Sequence, residues 1–572
     1  MESSLPNSTP HCNASHPSRD GAGVTLQWRE VWTHASVWCP TLFLAGLYTL
    51  MGVCGCLPFH TRDDGDIVGL LRGVPGVLPS GFTLMLSPWY GNALSFLYQS
   101  WPSGYWYDLA ILSCYLLGYW WILCSMRRNG WKLTGMLLAT IACVMGFLLW
   151  QPGFTLAGQF LTAAAVAPLI TQIPSRPLRR LSRGEVLMSA VLILLATAYR
   201  VDSAGLALGV TIAGFGILHG KEILGLRREA LHATGILGLL LGMVGIGFFT
   251  SAAFPASLEA DRWLEYNNRR AAIQDYSRAV YDPSWAKSLG FSPNDFTVLT
   301  HHMSMDSGPF ALERLKNIPL NASKPILRGV VPAVMESIGE ALIIMTAVAL
   351  ACVLRPKLLP VVVSTLLILC LVQWHFDRLP PRVLLPPLGL LALMSVGVIG
   401  DQQGRGRLLC RLTAAGLMLS AAGVVWDSLS TRFVGIQGMV QNESLVRDFC
   451  NANGIDRLLF WNGKPGSLLL FRDPMACAAI SYDLGGWDSS HPARLAAGRK
   501  AFGEDIFAGV CRPGTYHCLM GAHVKHRALQ RFLKEHGLGH TRIETVFQSG
   551  QAVLYHVVSD DDAASQPVQR EP

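Results

Sequence analysis

Residues 37–58 read VWCPTLFLAGLYTLMGVCGCLP and carry no charge, and a dense acidic cluster, Arg62-Asp63-Asp64-Gly65-Asp66, follows at once. About 20 predominantly apolar residues suffice for an α-helix to cross a hydrocarbon core. The pair of segments therefore reads as a membrane span ending on carboxylates at the membrane–water boundary. Carboxylates are costly to hold there unless they pair, bind a cation or do chemistry.

Working outward from this stretch, the same apolar signal recurs. Spans are expected near 37–58, 105–126, 133–150, 156–172, 185–199, 204–220, 231–254, 333–354, 358–376, 380–400 and 409–427, about eleven in all. The 572 residues are 51% hydrophobic and 15% charged, with a mean hydropathy of +0.34. A soluble domain carries about 25% charged residues. The expected fold is mostly α: a polytopic transmembrane helical bundle with interfacial helices in the first outer loop and a small C-terminal α/β domain outside the membrane.

Orientation follows from the basic residues. Alternate connections hold Arg127, Arg128 and Lys132; Arg176, Arg179, Arg180 and Arg183; Lys221, Arg227 and Arg228; Arg355 and Lys357; and Arg405, Arg407 and Arg411. The opposite short connections hold only Arg62, Arg72, Arg200, Arg378 and Arg382. The positive-inside rule places the first set in the cytoplasm. The net charge of +8 is then largely a topology signal, not a sign of nucleic acid. Residues 1–36 show no signal-peptide pattern and read as a flexible cytoplasmic arm. Residues 37–429 form the membrane module, 430–558 an outer α/β domain and 559–572 a polar, disordered tail.

Three long segments fall on the outer side: 59–104, 255–332 and 430–572. In the first, Ile67–Leu71 and Asn92–Tyr98 suit short interfacial helices with an aromatic belt. The last has the hydropathy of a soluble domain. It predicts a helix at 443–451, a strand from Arg457 to Trp461, a helix at 525–537 and strands at 542–547 and 552–557. Its cysteines, Cys450, Cys477, Cys511 and Cys518, are even in number and permit disulfides, with Cys511–Cys518 able to close a small loop.

Several residues carry chemistry. Asp63, Asp64 and Asp66 either cap the helix that follows or supply a general base, alone or with a divalent cation such as Mg²⁺ or Mn²⁺. Arg200, Arg378 and Arg382 break the positive-inside trend at headgroup depth, where guanidinium groups grip phosphate oxygens. Arg200 can equally pair with Asp202 or snorkel. Asp275 and Tyr276 suit acceptor contacts or loop packing. His301 and His302, with Asp295 and Asp306, match no strong metal signature.

The acidic pair after the first span, the run Asn92…Leu97-Tyr98…Pro102…Trp106-Tyr107 and the outer loop with Asn294-Asp295-Phe296 resemble the GT-C superfamily. These are polytopic glycosyltransferases that use a polyprenyl-phosphate sugar as donor. The resemblance covers residues 37–430 in layout. It implies an Asp on the first outer loop as catalytic base, here Asp64 or Asp63, and an inverting reaction. It also implies a donor phosphate at Arg200, Arg378 and Arg382. Acceptor or substrate contacts would come from Asp66, Asn92, Tyr98, Asp275, Tyr276, Asp295, His301 and His302.

The expected function is thus transfer of a sugar from a polyprenyl-phosphate donor to a glycan, lipid or protein acceptor. The expected location is the bacterial inner membrane, among membrane lipids, with the active site and C-terminal domain on the periplasmic side. A lipid-linked saccharide flippase predicts ionisable groups at mid-membrane and related halves. A non-enzymatic envelope assembly protein leaves the acidic cluster without a role.

Overall fold

Apolar periodicity becomes helix along most of the chain. The computed structural model describes residues 35–73, 78–172, 178–252, 258–276, 278–301, 305–321, 335, 337–376, 379–400, 405–455, 457–461, 469–471, 480–484, 487–520, 523–536, 541–549 and 552–559. Most of the arm, the tail, Arg378, His302 and Cys477 lie outside the described residues.

Helices α1 (Ala35–Val53), α2 (Arg62–Arg72), α3 (Pro88–Ser100), α4 (Trp106–Arg128), α5 (Leu133–Phe147) and α6 (Phe154–Ile170) follow in order. Next come α7 (Arg183–Leu224), α8 (Arg228–Ala252) and, outside the bundle, α9 (Leu258–Gln274), α10 (Pro283–Leu289) and α11 (Pro293–Thr300). The bundle resumes with α12 (Ile338–Leu354), α13 (Leu359–Phe376), α14 (Pro381–Gly400) and α15 (Arg405–Ala452). Among the described residues, six helical stretches are long and apolar enough to cross a membrane: α1, α4, α7, α8, Pro356–His375 and Arg411–Ala452, and four shorter apolar helices accompany them. Every residue of α6 is buried, as expected for a helix that is apolar all round.

Two of the expected spans, 185–199 and 204–220, meet within α7 at Arg200, whose backbone is extended (φ −163°, ψ 106°). Thr197 packs at Gly247 and Gly205 at Val244, so residues on both sides of the break face the same turn of α8. The two arms turn on each other there. The N-terminus of α7 is closed by a Ser182–Glu185 capping box, and Arg179 and Arg128 grip the buried Glu185. Elsewhere, α5 and α14 approach until a Cβ on Gly389 would lie 2.7 Å from the Gly146 Cα.

The C-terminal region holds a five-stranded sheet in the order β2-β1-β3-β5-β4. Its strands are β1 (Arg457–Trp461), β2 (Ile480–Leu484), β3 (Tyr516–Met520), β4 (Thr541–Ser549) and β5 (Ala552–Ser559). The first three are parallel; β5 runs antiparallel to both β3 and β4. The strand expected from Arg457 to Trp461 and the strands expected near 542–547 and 552–557 all form. The expected helix at 525–537 is α18 (His523–His536), after α16 (Pro492–Phe502) and α17 (Ile506–Val510). Strands β2 and β3 were not among the strands expected from the sequence.

Two features exceed the sequence-based organisation. The segment 443–451 is no separate helix: α15 runs unbroken through residue 430 into the C-terminal region. The loop helices α9–α11 also share one apolar core with the sheet, where Tyr266, Ile273, Val298 and Phe310 pack with Leu459, Trp461 and Phe532. The expected Cys511–Cys518 bridge does not form, because Cys511 is a free thiol. It lies in the core on the helical side of the sheet, whereas Cys518 points from β3 into the cluster on the opposite side with Cys450.

Candidate active site

The acidic cluster opens α2, with Thr61 extended at the N-cap. Helical residues three apart share a face, whereas neighbours do not. Asp63 and Asp66 therefore point one way and Asp64 another.

Asp64 points inward and is fully buried. Its Oδ1 accepts from the Tyr107 hydroxyl at 2.7 Å and the Phe154 N–H at 2.9 Å, and its Oδ2 from the Thr61 hydroxyl at 3.1 Å. The carboxylate thus ties α2 to α4 and satisfies an open N–H at the start of α6. Burial pushes its pKa up to about 7 despite these donors, with Asp63's charge adding to the rise. His60 beside it is held neutral, its pKa lowered to about 3 by burial and by the charges of Arg382 and Arg432.

Asp63 and Asp66 instead line a cavity of ≈ 630 Å³. The ends of the bundle helices and the adjoining loops form one wall, with Arg62, Met85, Arg200, Asp202, Val372 and Arg382. The extramembrane wall is α9 and the segment after it, with Asn268, Arg270, Asp275 and Tyr276, joined by Trp487 of the C-terminal region.

Charges inside the cavity are paired. Arg382 Nη2 stands 3.8 Å from Asp63 Oδ2, and Arg62 Nε stands 3.8 Å from Asp66 Oδ1. Arg200, at the break in α7, donates from Nε to Asp202 at 2.9 Å and from Nη1 to the Thr155 hydroxyl at 3.2 Å. Its guanidinium lies 5.4 Å from the Phe154 ring centre. Arg270 Nη2 lies 3.5 Å from Asp275 Oδ2. Both carboxylates of the α2 cluster that face the cavity already stand beside a guanidinium. That donor set does not call for a divalent cation.

The structure thus brings together Asp63, Asp66, Arg200, Arg382, Asp275 and Tyr276 from four separate parts of the chain. Other expected site residues stand elsewhere. Tyr98 is buried, its hydroxyl accepting the Tyr107 N–H at 3.1 Å, and Asn92 is exposed on α3 against Gly81. Asp295 closes a capping box with Ser292 and meets His536 Nε2 at 2.6 Å, and His301 bonds the Thr297 carbonyl. Their surroundings belong to the core between the outer loop and the C-terminal sheet.

Sequence reading missed Arg270, Asn268 and Trp487. The first two sit in the polar run Asn267-Asn268-Arg269-Arg270 and were legible only as a solvated helix face. Trp487 sits in a segment with no periodic pattern.

No protein-family model matches this sequence, and no curated protein matches it. Among solved structures, the chain is similar to ArnT from Cupriavidus metallidurans bound to undecaprenyl phosphate. The TM-score is 0.47 and the identity 11%, over 91% of this chain and 98% of that one. For the same protein in the apo state the TM-score is 0.33 and the identity 12%, over 90% and 97%.

Proposed function

We propose that this chain is an integral membrane glycosyltransferase that moves a sugar from a polyprenyl-phosphate donor to an acceptor hydroxyl, with Asp63 as general base. The observation that carries this reading is the single cavity in which Asp63, Asp66 and Asp275 face Arg200 and Arg382 where bundle helices meet an extramembrane helix. The basic connections support a cytoplasmic placement for the opposite end, with the cavity opening on the periplasmic side of a bacterial inner membrane.

The step is a single displacement. The acceptor oxygen attacks the anomeric carbon and its proton passes to the Asp63 carboxylate. The bond from that carbon to the phosphate oxygen breaks, and the polyprenyl phosphate leaves with the electron pair. Arg200 and Arg382 neutralise the charge that develops on the phosphate. Attack opposite the leaving group inverts the anomeric centre. Asp64 serves this site by fixing α2 against α4 and α6, and no step is routed through a metal ion.

The test is transfer of label from radiolabelled polyprenyl-phosphate sugars in membranes, comparing wild type with Asp63→Asn and Asp64→Asn. Loss of transfer in folded Asp63→Asn supports the assignment. Full transfer by Asp63→Asn refutes the base. Absence of transfer from every donor by the wild type refutes the enzyme reading and turns attention to lipid translocation.

A further inference from the structure

Away from the cavity, Asp295 on α11 and Glu535 and His536 on α18 bring one ligand atom each within 4.8 Å of one another. The two helices share one apolar core, through Val298 and Phe532, so the three side chains are held together by packing. Each is also oriented from behind. The His536 ring packs on Phe532 and Phe507, with centres 4.8 and 5.3 Å apart, and its Nε2 faces Asp295 Oδ1 at 2.6 Å. Asp295 is 1% exposed, and its Oδ2 accepts the Ser292 N–H at 2.8 Å, which leaves Oδ1 turned to the shared point. The Ser292 hydroxyl donates to Glu535 Oε2 at 2.7 Å, and the Asn294 amide donates to Oε1. Outer hydrogen bonds of this kind fix the orientation of metal-ligating carboxylates. Glu535 is exposed and His536 half-buried, so an ion and a water reach the group from solvent. Both stand in the last turn of α18, and a helix C-terminus favours a cation.

We propose that Asp295, Glu535 and His536 form a zinc site that staples the outer loop to the C-terminal region. One imidazole nitrogen and two carboxylate oxygens are ligands that Zn²⁺ accepts, with a water in the fourth position. The imidazole selects against Mg²⁺ and Ca²⁺, which take oxygen ligands. Without the ion, the His536 Nε2–H donates to Asp295. With it, Nε2 gives its lone pair to zinc and the ring proton sits on Nδ1. The site takes no part in the transfer step, so the inference stands independently of the glycosyltransferase reading.

The full chain in nanodiscs, stripped with EDTA and returned to chelator-free buffer, is titrated with Zn²⁺ and with Mg²⁺ by calorimetry, using wild type, Glu535→Gln and His536→Gln. Zinc-edge X-ray absorption of the one-equivalent complex reads the ligand atoms, and melting curves are recorded with and without zinc. The wild type is expected to take up one equivalent of Zn²⁺ with a nitrogen and oxygen shell, to melt higher with it and to ignore Mg²⁺. Glu535→Gln changes an exposed side chain outside the core. It should weaken zinc about ten-fold or more and shrink the gain in melting temperature. His536→Gln should abolish the uptake.

A wild type that takes up no zinc overturns the proposal and leaves Asp295 and His536 as an ion pair alone. Sulfur in the zinc shell overturns it too, because the ion would then sit on cysteines. So does a Glu535→Gln chain that binds zinc like wild type, a result that stays decisive even where His536→Gln fails to fold.

Discussion

The Asp63 carboxylate stands 3.8 Å from the Arg382 guanidinium, joining the helix after the first span to the start of α14 across the cavity. In the proposed function, this pair would set the general base beside the cation that receives the donor phosphate. Arg382→Gln is expected to lower kcat by about 10²-fold or more, the usual scale for one lost transition-state charge contact. Arg382→Lys, which keeps the charge but loses the fork, should fall between. Steady-state kinetics with the active donor check this; an unchanged kcat in Arg382→Gln excludes the role.

Asp64 predicts a pH-dependent stability. Its folded pKa is about 7, raised from the ordinary carboxylate value by burial. Between pH ~4 and ~7 the folded state keeps the proton that the unfolded chain has released, so stability falls as pH rises through that window. The shift corresponds to on the order of 4 kcal/mol at most. Relative to Asp64→Asn, the wild type should lose stability as pH rises through this range, read as the difference between their melting curves.

Gly389 and Gly146 let α5 and α14 touch backbone to backbone. A Cβ on Gly389 would meet the Gly146 Cα at 2.7 Å. Gly389→Ala must push two buried helices apart, at a cost of about 1–3 kcal/mol. A melting temperature in detergent equal to wild type would show that the bundle yields there without strain.

Arg494 and Asp488 form an ion pair with side chains 6% and 0% exposed. Removing Arg494 strands a buried carboxylate, a change that costs about 3–5 kcal/mol. Arg494→Met is expected to destabilise the C-terminal region. Limited proteolysis reads the effect, and an Arg494→Met variant as resistant as wild type contradicts a stabilising role for the pair.

Metal removal gives a further check. With Asp63 and Asp66 each beside a guanidinium, transfer is expected to persist after dialysis against EDTA. Loss of activity restored by Mg²⁺ or Mn²⁺ would overturn the metal-independent step.

Much of the helical architecture was legible because a membrane span announces itself locally, by twenty apolar residues and the charges that bound it. The strand from Arg457 to Trp461 was legible as a short apolar run followed by glycine and proline, and the antiparallel pair as β-branched and aromatic runs on either side of Ser549-Gly550. The split between Asp63 and Asp64 was only half legible. Helical spacing separates them, but which face meets solvent depends on Tyr107 and the Phe154 N–H, distant in sequence. Strand β2, Ile480-Ser481-Tyr482-Asp483-Leu484, stands at the sheet edge and does alternate, but over only five residues, and β3 is a short, mostly buried strand with little periodicity.

The sequence by itself determined a polytopic helical chain, an acidic cluster beyond its first span and a mixed α/β end. Only the tertiary structure decided that Asp63, Arg200, Arg382, Asp275 and Trp487 share one cavity, and that Asp295 and His301 lie apart from it. The physical reason is that span and strand signals are written in contiguous residues, whereas a site is a convergence of side chains from helices and loops whose packing no local pattern encodes.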